Sequence, residues 1–281
     1  MLDVIVTGAG GFVGSALVRQ LRQEGRSVFA MDRSHGDVAG EQAWQGIPAA
    51  RALIHLAGRS YVPDSWSRGP DFIASNVLGT ERALAYCRVH GAHMVYASAY
   101  VYGIPEALPL QEHQLARPNN PYAMSKFAAE QLCEFAARYQ GLNATVLRIF
   151  NIFGPGQRPE FLIPSILRQV RGGDEVRVLD LKPRRDYVFL DDVVKALTKS
   201  LHAGPGFHRA NIGSGVSYSV QEIIDIIQSE AGTQLPVVSE ASERPQEIPD
   251  VRADISVAQQ VLGWTPCWTF KDGVRHMLNG T

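Results

Sequence analysis

Three glycines, at positions 8, 11 and 14, stand between an apolar run and an amphipathic segment. No other feature constrains this chain as much. LDVIVT reads as a buried strand, and FVGSALVRQLRQEG carries apolar residues at helical spacing. TGAGGFVG is therefore a strand-to-helix turn. Gly8 permits the tight turn, Gly11 lets a ligand approach the backbone, and Gly14 lets the helix pack on the strand. The free N–H groups at the start of that helix attract a phosphate. A second strand, SVFAMD, ends in Asp32. A carboxylate there accepts hydrogen bonds from ribose hydroxyls. This order of strand, glycines, helix, strand and acid predicts a dinucleotide site. Asp32 repels a 2′-phosphate and favours NAD. Arg33 could meet such a phosphate, so NADP stays open.

Beyond this turn the chain alternates strand-like and helix-like segments through residue 150. ARALIHLAG and AHMVYASA read as strands, DFIASNVLGTERALAYCRVHG as one long helix, PYAMSKFAAEQLCEFAARYQG as another, and NATVLRIFN as a strand. Such alternation predicts an α/β doubly wound parallel sheet, a Rossmann fold. After Asn151 the pattern breaks into shorter helices and strands, with Ser219 a plausible helix cap. We read residues 1–150 as a dinucleotide-binding domain, completed by about 187–210. Residues 151–281 form mainly a smaller, interleaved C-terminal substrate-binding lobe. Trp264 and Trp268 are expected to pack in that lobe. The stretch between Asp32 and Leu53 is too short for a full strand-and-helix unit, so one or both are expected to be trimmed.

Composition excludes several classes. Lys plus Arg is 27 and Asp plus Glu is 28. That near balance argues against nucleic acid or an anionic membrane surface as main partner. No apolar run is long enough to span a bilayer. The N-terminus lacks the basic-then-apolar pattern of a secretory leader. Cys87, Cys133 and Cys267 fit reduced thiols in a cytoplasmic protein better than a disulfide framework. The histidines show no metal-ligand spacing, and HGAH at 90–93 is expected on the surface. No metal is expected.

PYAMSK places Tyr122 and Lys126 on one helical face. A lysine ammonium near a phenol lowers its pKa and makes it usable as acid or base. Ser98 ends the preceding strand, at the sheet edge where ligands bind, and could hydrogen-bond a substrate oxygen.

TGAGGFVG, HLAG at 55–58, Ser98 in YASAYVYG and PYAMSK together resemble the extended short-chain dehydrogenase/reductases. Within them, the chain resembles the NAD-dependent epimerase/dehydratase group acting on nucleotide sugars. The resemblance extends through NVLGT, RIFNIFGPGQ, RRDYVFLDDV, NIGSG, ERPQEIPDVRAD and LGWTP. It implies that Ser98, Tyr122 and Lys126 are catalytic. Gly8, Gly11, Phe12, Val13, Gly14, Asp32, Arg33, Leu56, Ala57, Gly58 and Asn76 would hold the cofactor, together with Tyr122 and Lys126. Tyr61, Ser98, Tyr100, Asn151, Arg185 and Arg244 would meet the substrate, the two arginines at its pyrophosphate. The plainer alternatives are a surface ion pair for Arg185 with Asp186, and a turn residue for Asn151. By the same analogy, the helices near 70–90 and 121–140 would pair in a homodimer.

Sugar dehydratases of this group carry an acid just after the serine or threonine. Ala99 and Tyr100 stand there in this chain. The leading expectation is therefore a nucleotide-sugar 4-epimerase working through a transient 4-keto sugar. LAGRSYVPDSW and ERPQEIP lean towards the alternative, an NAD(P)H-dependent reductase of 4-keto-6-deoxyhexoses. A non-catalytic NAD-binding relative is a third possibility, and the intact Ser98, Tyr122 and Lys126 speak against it.

Overall fold

Near-continuous apolar strands need cover on both faces, and the fold supplies it. The computed structural model describes residues 1–241 and 247–280. β1 (Leu2–Thr7) leads through the glycine turn into α1 (Phe12–Gln23), followed by β2 (Val28–Met31) and β3 (Ala50–His55). Next come α2 (Val62–Ser67), α3 (Gly69–Phe72), α4 (Gly79–His90), β4 (His93–Ala99), α5 (Pro121–Tyr139) and β5 (Ala144–Ile149). The chain continues with β6 (Asn151–Phe153), α6 (Leu162–Gly172), β7 (Val176–Val178), β8 (Arg184–Phe189), α7 (Leu190–Ser200) and β9 (Phe207–Ile212). It closes with β10 (Ser217–Ser219), α8 (Val220–Ala231), β11 (Val237–Ser239), α9 (Ser256–Leu262) and α10 (Phe270–Asn279).

The main sheet has six parallel strands in the order β2-β1-β3-β4-β5-β9. Alternate side chains point to opposite faces. Val4, Val6, Ile54, Val95 and Leu147 pack against Leu17 and Leu21 of α1 and Val193 and Leu197 of α7. Ile5, Leu53, Met94 and Val146 pack against Leu84 of α4 and Ala129 and Cys133 of α5. Each such Leu or Ile stabilises the fold by about 1.5–3 kcal/mol when fully buried. The strand order reverses between β1 and β3, which opens a crevice at their carboxyl ends. Between β2 and β3 the described chain makes only 3-10 turns, at Arg33–His35 and Glu41–Trp44. β2 is therefore an edge strand, and the shortened segment has lost both a strand and an α-helix.

A second layer is built from the sheets β10-β8-β6 and β11-β7. Phe153, Ile166, Phe189, Ile223, Ile227 and Phe270 form its core. Ser219 caps α8 in a reciprocal box: its hydroxyl accepts from Glu222 N, and Glu222 Oε2 accepts from Ser219 N.

Three expectations need correction. The single helix expected over 71–91 is continuous but not uniform: it widens into a π-helical turn at Ile73–Leu78. The widened turn presents the Asn76 side chain to two other segments, and Thr80 Oγ1 donates to the Asn76 carbonyl at 2.6 Å. Such turns often mark functional sites. Trp264 packs in the core of the main sheet rather than the lobe, with its indole N–H donating to Asp192 O at 2.9 Å. Trp268 does pack with the lobe core. His93 is tucked in beside Thr145, 2.9 Å from its hydroxyl, and burial lowers its pKa to about 4.

Asp186 of β8 ties the layers together. Its carboxylate accepts from Ser214 N and Oγ, Gly215 N and Ala253 N at 2.7–3.0 Å. Replacing Asp186 by Ala strands three backbone N–H groups and is expected to cost about 3 kcal/mol. Urea denaturation measures it, and an unchanged midpoint would refute this role.

Candidate active site

The glycine turn is shaped by hard contacts. Gly8 has φ +69°, and a Cβ there would lie 2.8 Å from Ala57 N. A Cβ on Gly14 would lie 2.1 Å from the Gly8 carbonyl oxygen. No side chain caps α1 at Gly11, and its first turn holds no acid. The N–H groups there are thus open to an anion. Phe12 and Val13 begin the helix and rest on the core, as does Leu56 after β3. Asp32 stands beside Gly10, whose Cβ would be 3.9 Å from Asp32 Oδ2. Asp32 Oδ1 accepts from Ser34 Oγ at 2.6 Å and Ser34 N at 3.0 Å, and these bonds lower its pKa. The carboxylate is therefore charged at neutral pH, next to Arg33 at the start of the 3-10 turn. This cradle fits a dinucleotide with a free adenosine ribose.

Ala57 and Gly58 form the wall opposite. Ala57 N donates to Thr7 Oγ1 at 3.2 Å. A Cβ on Gly58 would lie 2.6 Å from Asn76 Oδ1. Asn76 is engaged on all sides. Its Oδ1 accepts from Arg59 N at 2.8 Å, and its Nδ2 donates to Arg59 O at 3.1 Å and to Ser125 Oγ at 2.8 Å. Both amide protons of Asn76 brace the 57–59 wall against α5.

α5 carries Tyr122 and Lys126, started by Pro121 and by Asn120, whose side chain accepts from Ala123 N at 2.8 Å. Lys126 is buried, with Nζ 4.5 Å from the centre of the Tyr96 ring. Burial lowers its pKa to about 8, and the charge of Glu130 opposes that fall. Burial pushes the Tyr122 phenol up, and Tyr100 adds to it. This corrects the expectation of a depressed phenol: the ammonium faces the Tyr96 ring, and desolvation of Tyr122 wins. His55, at the end of β3, is fully buried beside Lys126, with its pKa lowered to about 3 by burial. Its Nδ1 is 2.7 Å from Thr7 Oγ1.

Ser98 is 5% exposed, and its hydroxyl donates to Glu130 Oε1 at 2.6 Å. Sequence reasoning missed Glu130. Its spacing, one helical turn beyond Lys126, is the signal that could have found it. Tyr100 leans on Phe150 and donates to Asn151 Oδ1 at 3.4 Å. Asn151 Nδ2 donates to the Asp186 carbonyl at 3.1 Å, so its amide joins β6 to β8 with one of its two N–H groups. Tyr61 meets Phe161 edge-on at 5.9 Å, with the Arg158 guanidinium 5.1 Å above the Tyr61 ring. Those contacts span the crevice between the two layers.

Arg185 was expected at a pyrophosphate. Its guanidinium instead donates to the Arg184 and Ile248 carbonyls and pairs with Glu247. Its charge is met by Glu247, so neither a free phosphate clamp nor a pair with Asp186 describes it in this state. Arg244 lies outside the described residues. Among the described residues no group of three or more His, Cys, Asp or Glu could hold a metal ion, and no helix is long and apolar enough to cross a membrane.

Comparison with known proteins matches these features to one family. Residues 4–213 match the family described as NAD dependent epimerase/dehydratase. The chain belongs to that family. It is an extended short-chain dehydrogenase/reductase and an NAD-dependent, nucleotide-sugar-modifying enzyme. It is 32% identical to GDP-6-deoxy-D-mannose reductase of Pseudomonas aeruginosa, covering 98% of this chain and 96% of the relative. It is 29% identical to UDP-glucose 4-epimerase of Mus musculus, covering 94% and 92%. Among solved structures, MoeE5 in complex with UDP-glucose and NAD aligns with a TM-score of 0.88 at 31% identity, covering 98% and 97%.

Lys126 generates a pH prediction. If its ammonium is needed, turnover falls as pH rises through about 8, the pKa that burial imposes on it. A pH–rate profile flat from 7 to 9.5 would dismiss that requirement. The same group acts on stability with a definite sign. Its folded pKa is depressed, so the unfolded chain binds the proton more tightly and stability gains as pH rises through this window.

Proposed function

We propose that this chain is a nucleotide-sugar 4-epimerase, with Ser98, Tyr122 and Lys126 as its catalytic set. What supports this reading is the helical spacing of Tyr122 and Lys126 on α5, which packs on β4 through the Lys126–Tyr96 and Glu130–Ser98 contacts, beside a glycine cradle and with no carboxylic acid at positions 99 and 100. A dehydratase needs an acid for its leaving hydroxyl, whereas epimerisation needs only proton and hydride to leave and return. Gly8, Gly11, Gly14 and Asp32 would hold NAD, with Ala57 and Gly58 along it. NAD, when bound, would supply a reversible hydride acceptor, and inversion requires the 4-keto sugar to turn so that its opposite face receives the hydride. Tyr122 holds the proton that leaves the 4-hydroxyl and gives it back. The Lys126 ammonium stabilises the charge that this transfer develops. Tyr61 and Tyr100 would line the sugar, and Arg185 would reach the pyrophosphate only by exchanging Glu247 for it.

A second reading, reduction of a 4-keto-6-deoxyhexose, is favoured by the raised pKa of Tyr122. A phenol that keeps its proton is a donor, as a ketone reductase requires. The 32% identity to a GDP-sugar reductase points the same way.

Tyr122→Phe should retain cofactor while turnover falls about 10²- to 10⁴-fold. Near-normal turnover would sink the role. Mass spectrometry of what the purified, denatured protein releases separates the two readings. Stoichiometric NAD supports the epimerase, which need not exchange its cofactor. An empty site or NADP supports the reductase.

We also propose a homodimer through α4 and α5. Val89, Phe135 and Tyr139 are exposed apolar side chains on those helices. Light scattering should give twice the chain mass, and Phe135→Asp should return it to one. A wild-type monomer would refute the proposal.

A further inference from the structure

We propose that Glu130 sets the polarity of the Ser98 hydroxyl, so that Ser98 meets the sugar as a hydrogen-bond acceptor and recognises the hydroxyl form over the keto form. This rests on the nucleotide-sugar reading above. A serine hydroxyl has one proton and two lone pairs. The Ser98 proton lies in a 2.6 Å bond to Glu130 Oε1. Glu130 is itself fully buried. Its other close partners are cations. Arg148 Nε lies 3.0 and 3.1 Å from its two oxygens, Arg148 Nη2 lies 2.8 Å from Oε2, and Arg209 Nε lies 3.5 Å from Oε2. A carboxylate so paired accepts and does not donate. Turning the Ser98 hydroxyl away would break a short charge-assisted bond inside the protein.

What Ser98 can offer a ligand is therefore its lone pairs. A sugar hydroxyl can donate to them; a carbonyl oxygen cannot. The carbonyl is left to the phenol of Tyr122, which has a proton to give. Ser98 and Tyr122 thus divide the two states of one oxygen between them. Glu130 touches neither sugar nor cofactor in this scheme. It is a positioning residue that acts through Ser98.

The test uses two complexes that cannot react. The NADH-loaded protein is titrated with UDP-glucose and GDP-mannose. The NAD-loaded protein is titrated with UDP-4-keto-6-deoxyglucose and GDP-4-keto-6-deoxymannose. Calorimetry gives the affinities. In Ser98→Ala the affinity for the hydroxyl sugar should fall about 3- to 10-fold, the worth of one hydrogen bond. Affinity for the keto sugar should hold. Loss on the keto side would overturn the proposal. In Glu130→Gln the amide carbonyl stays with Arg148 and the amide N–H turns to Ser98 Oγ, which frees the serine proton. Keto-sugar affinity should then rise by a similar factor, and the rise should vanish when Ser98→Ala is added. A rise that survives in the double variant would mean Glu130 acts elsewhere and would also overturn the proposal. If Glu130→Gln does not fold, the Ser98→Ala pair decides alone. A wild type that binds neither sugar form fails the underlying sugar reading, a result distinct from a reversed Ser98 pattern.

Discussion

The buried pair of Glu130 and Arg148 holds the carboxyl edge of the sheet together. Arg148 is on β5, Glu130 on α5, and Ser98 on β4 between them. Both charges are almost wholly excluded from water, with side-chain exposures of 2% and 0%. Desolvating two ions is costly, and the attraction offsets it only with good geometry and few idle lone pairs. Here the guanidinium meets the carboxylate through Nε and Nη2, lies 4.6 Å from the centre of the Tyr102 ring, and reaches the Glu112 carbonyl. Tyr102 in turn donates to Asn211 Oδ1 of β9, and Asn211 N donates to Glu112 Oε1. One polar network thus joins β4, α5, β5 and β9 under the site. It lies inside an otherwise apolar sheet, where removing either charge would strand the other.

The network explains how a moving reaction can sit on a rigid floor. Lys126 and Glu130 are one helical turn apart, so the same helix that presents the proposed catalytic pair also anchors it. Glu130 supports the ammonium of Lys126 and holds the proton of Ser98. The opposite wall is braced differently, by the amide of Asn76 in its π-helical turn. The substrate side is looser in kind. It is made of aromatic and cation–π contacts at Tyr61, Phe161 and Arg158, and of an Arg185–Glu247 pair that a ligand's phosphate could replace.

Much of the site was legible because its signals are local. The glycine turn depends on backbone contacts within a few residues and on the strand beside it. The Tyr122–Lys126 spacing is a property of any helix. Ser98 was legible as a strand end, but its pairing with Glu130 was not: the spacing from Lys126 marks Glu130 as sharing that helical face, while its partner lies 32 residues away. The partners of Asn151 and Arg185 were illegible for the same reason: Asp186 O and Glu247 come from elsewhere in the chain. Trp264 went to the wrong core because it follows the lobe in sequence, while its indole finds Asp192 at the start of α7.

Sequence alone determined the class of fold, and it pointed to the glycine turn as the dinucleotide site and to Ser98, Tyr122 and Lys126 as the candidate reacting side chains. Each rests on periodicity, turn chemistry or spacing, which act over a few residues. Tertiary structure decided which group the Ser98 hydroxyl bonds, that burial raises the Tyr122 pKa, that the Lys126 ammonium faces the Tyr96 ring, and which polar side chains already have partners. Those are questions of desolvation and of long-range partners, and they are answered only when distant segments meet inside a medium that excludes water.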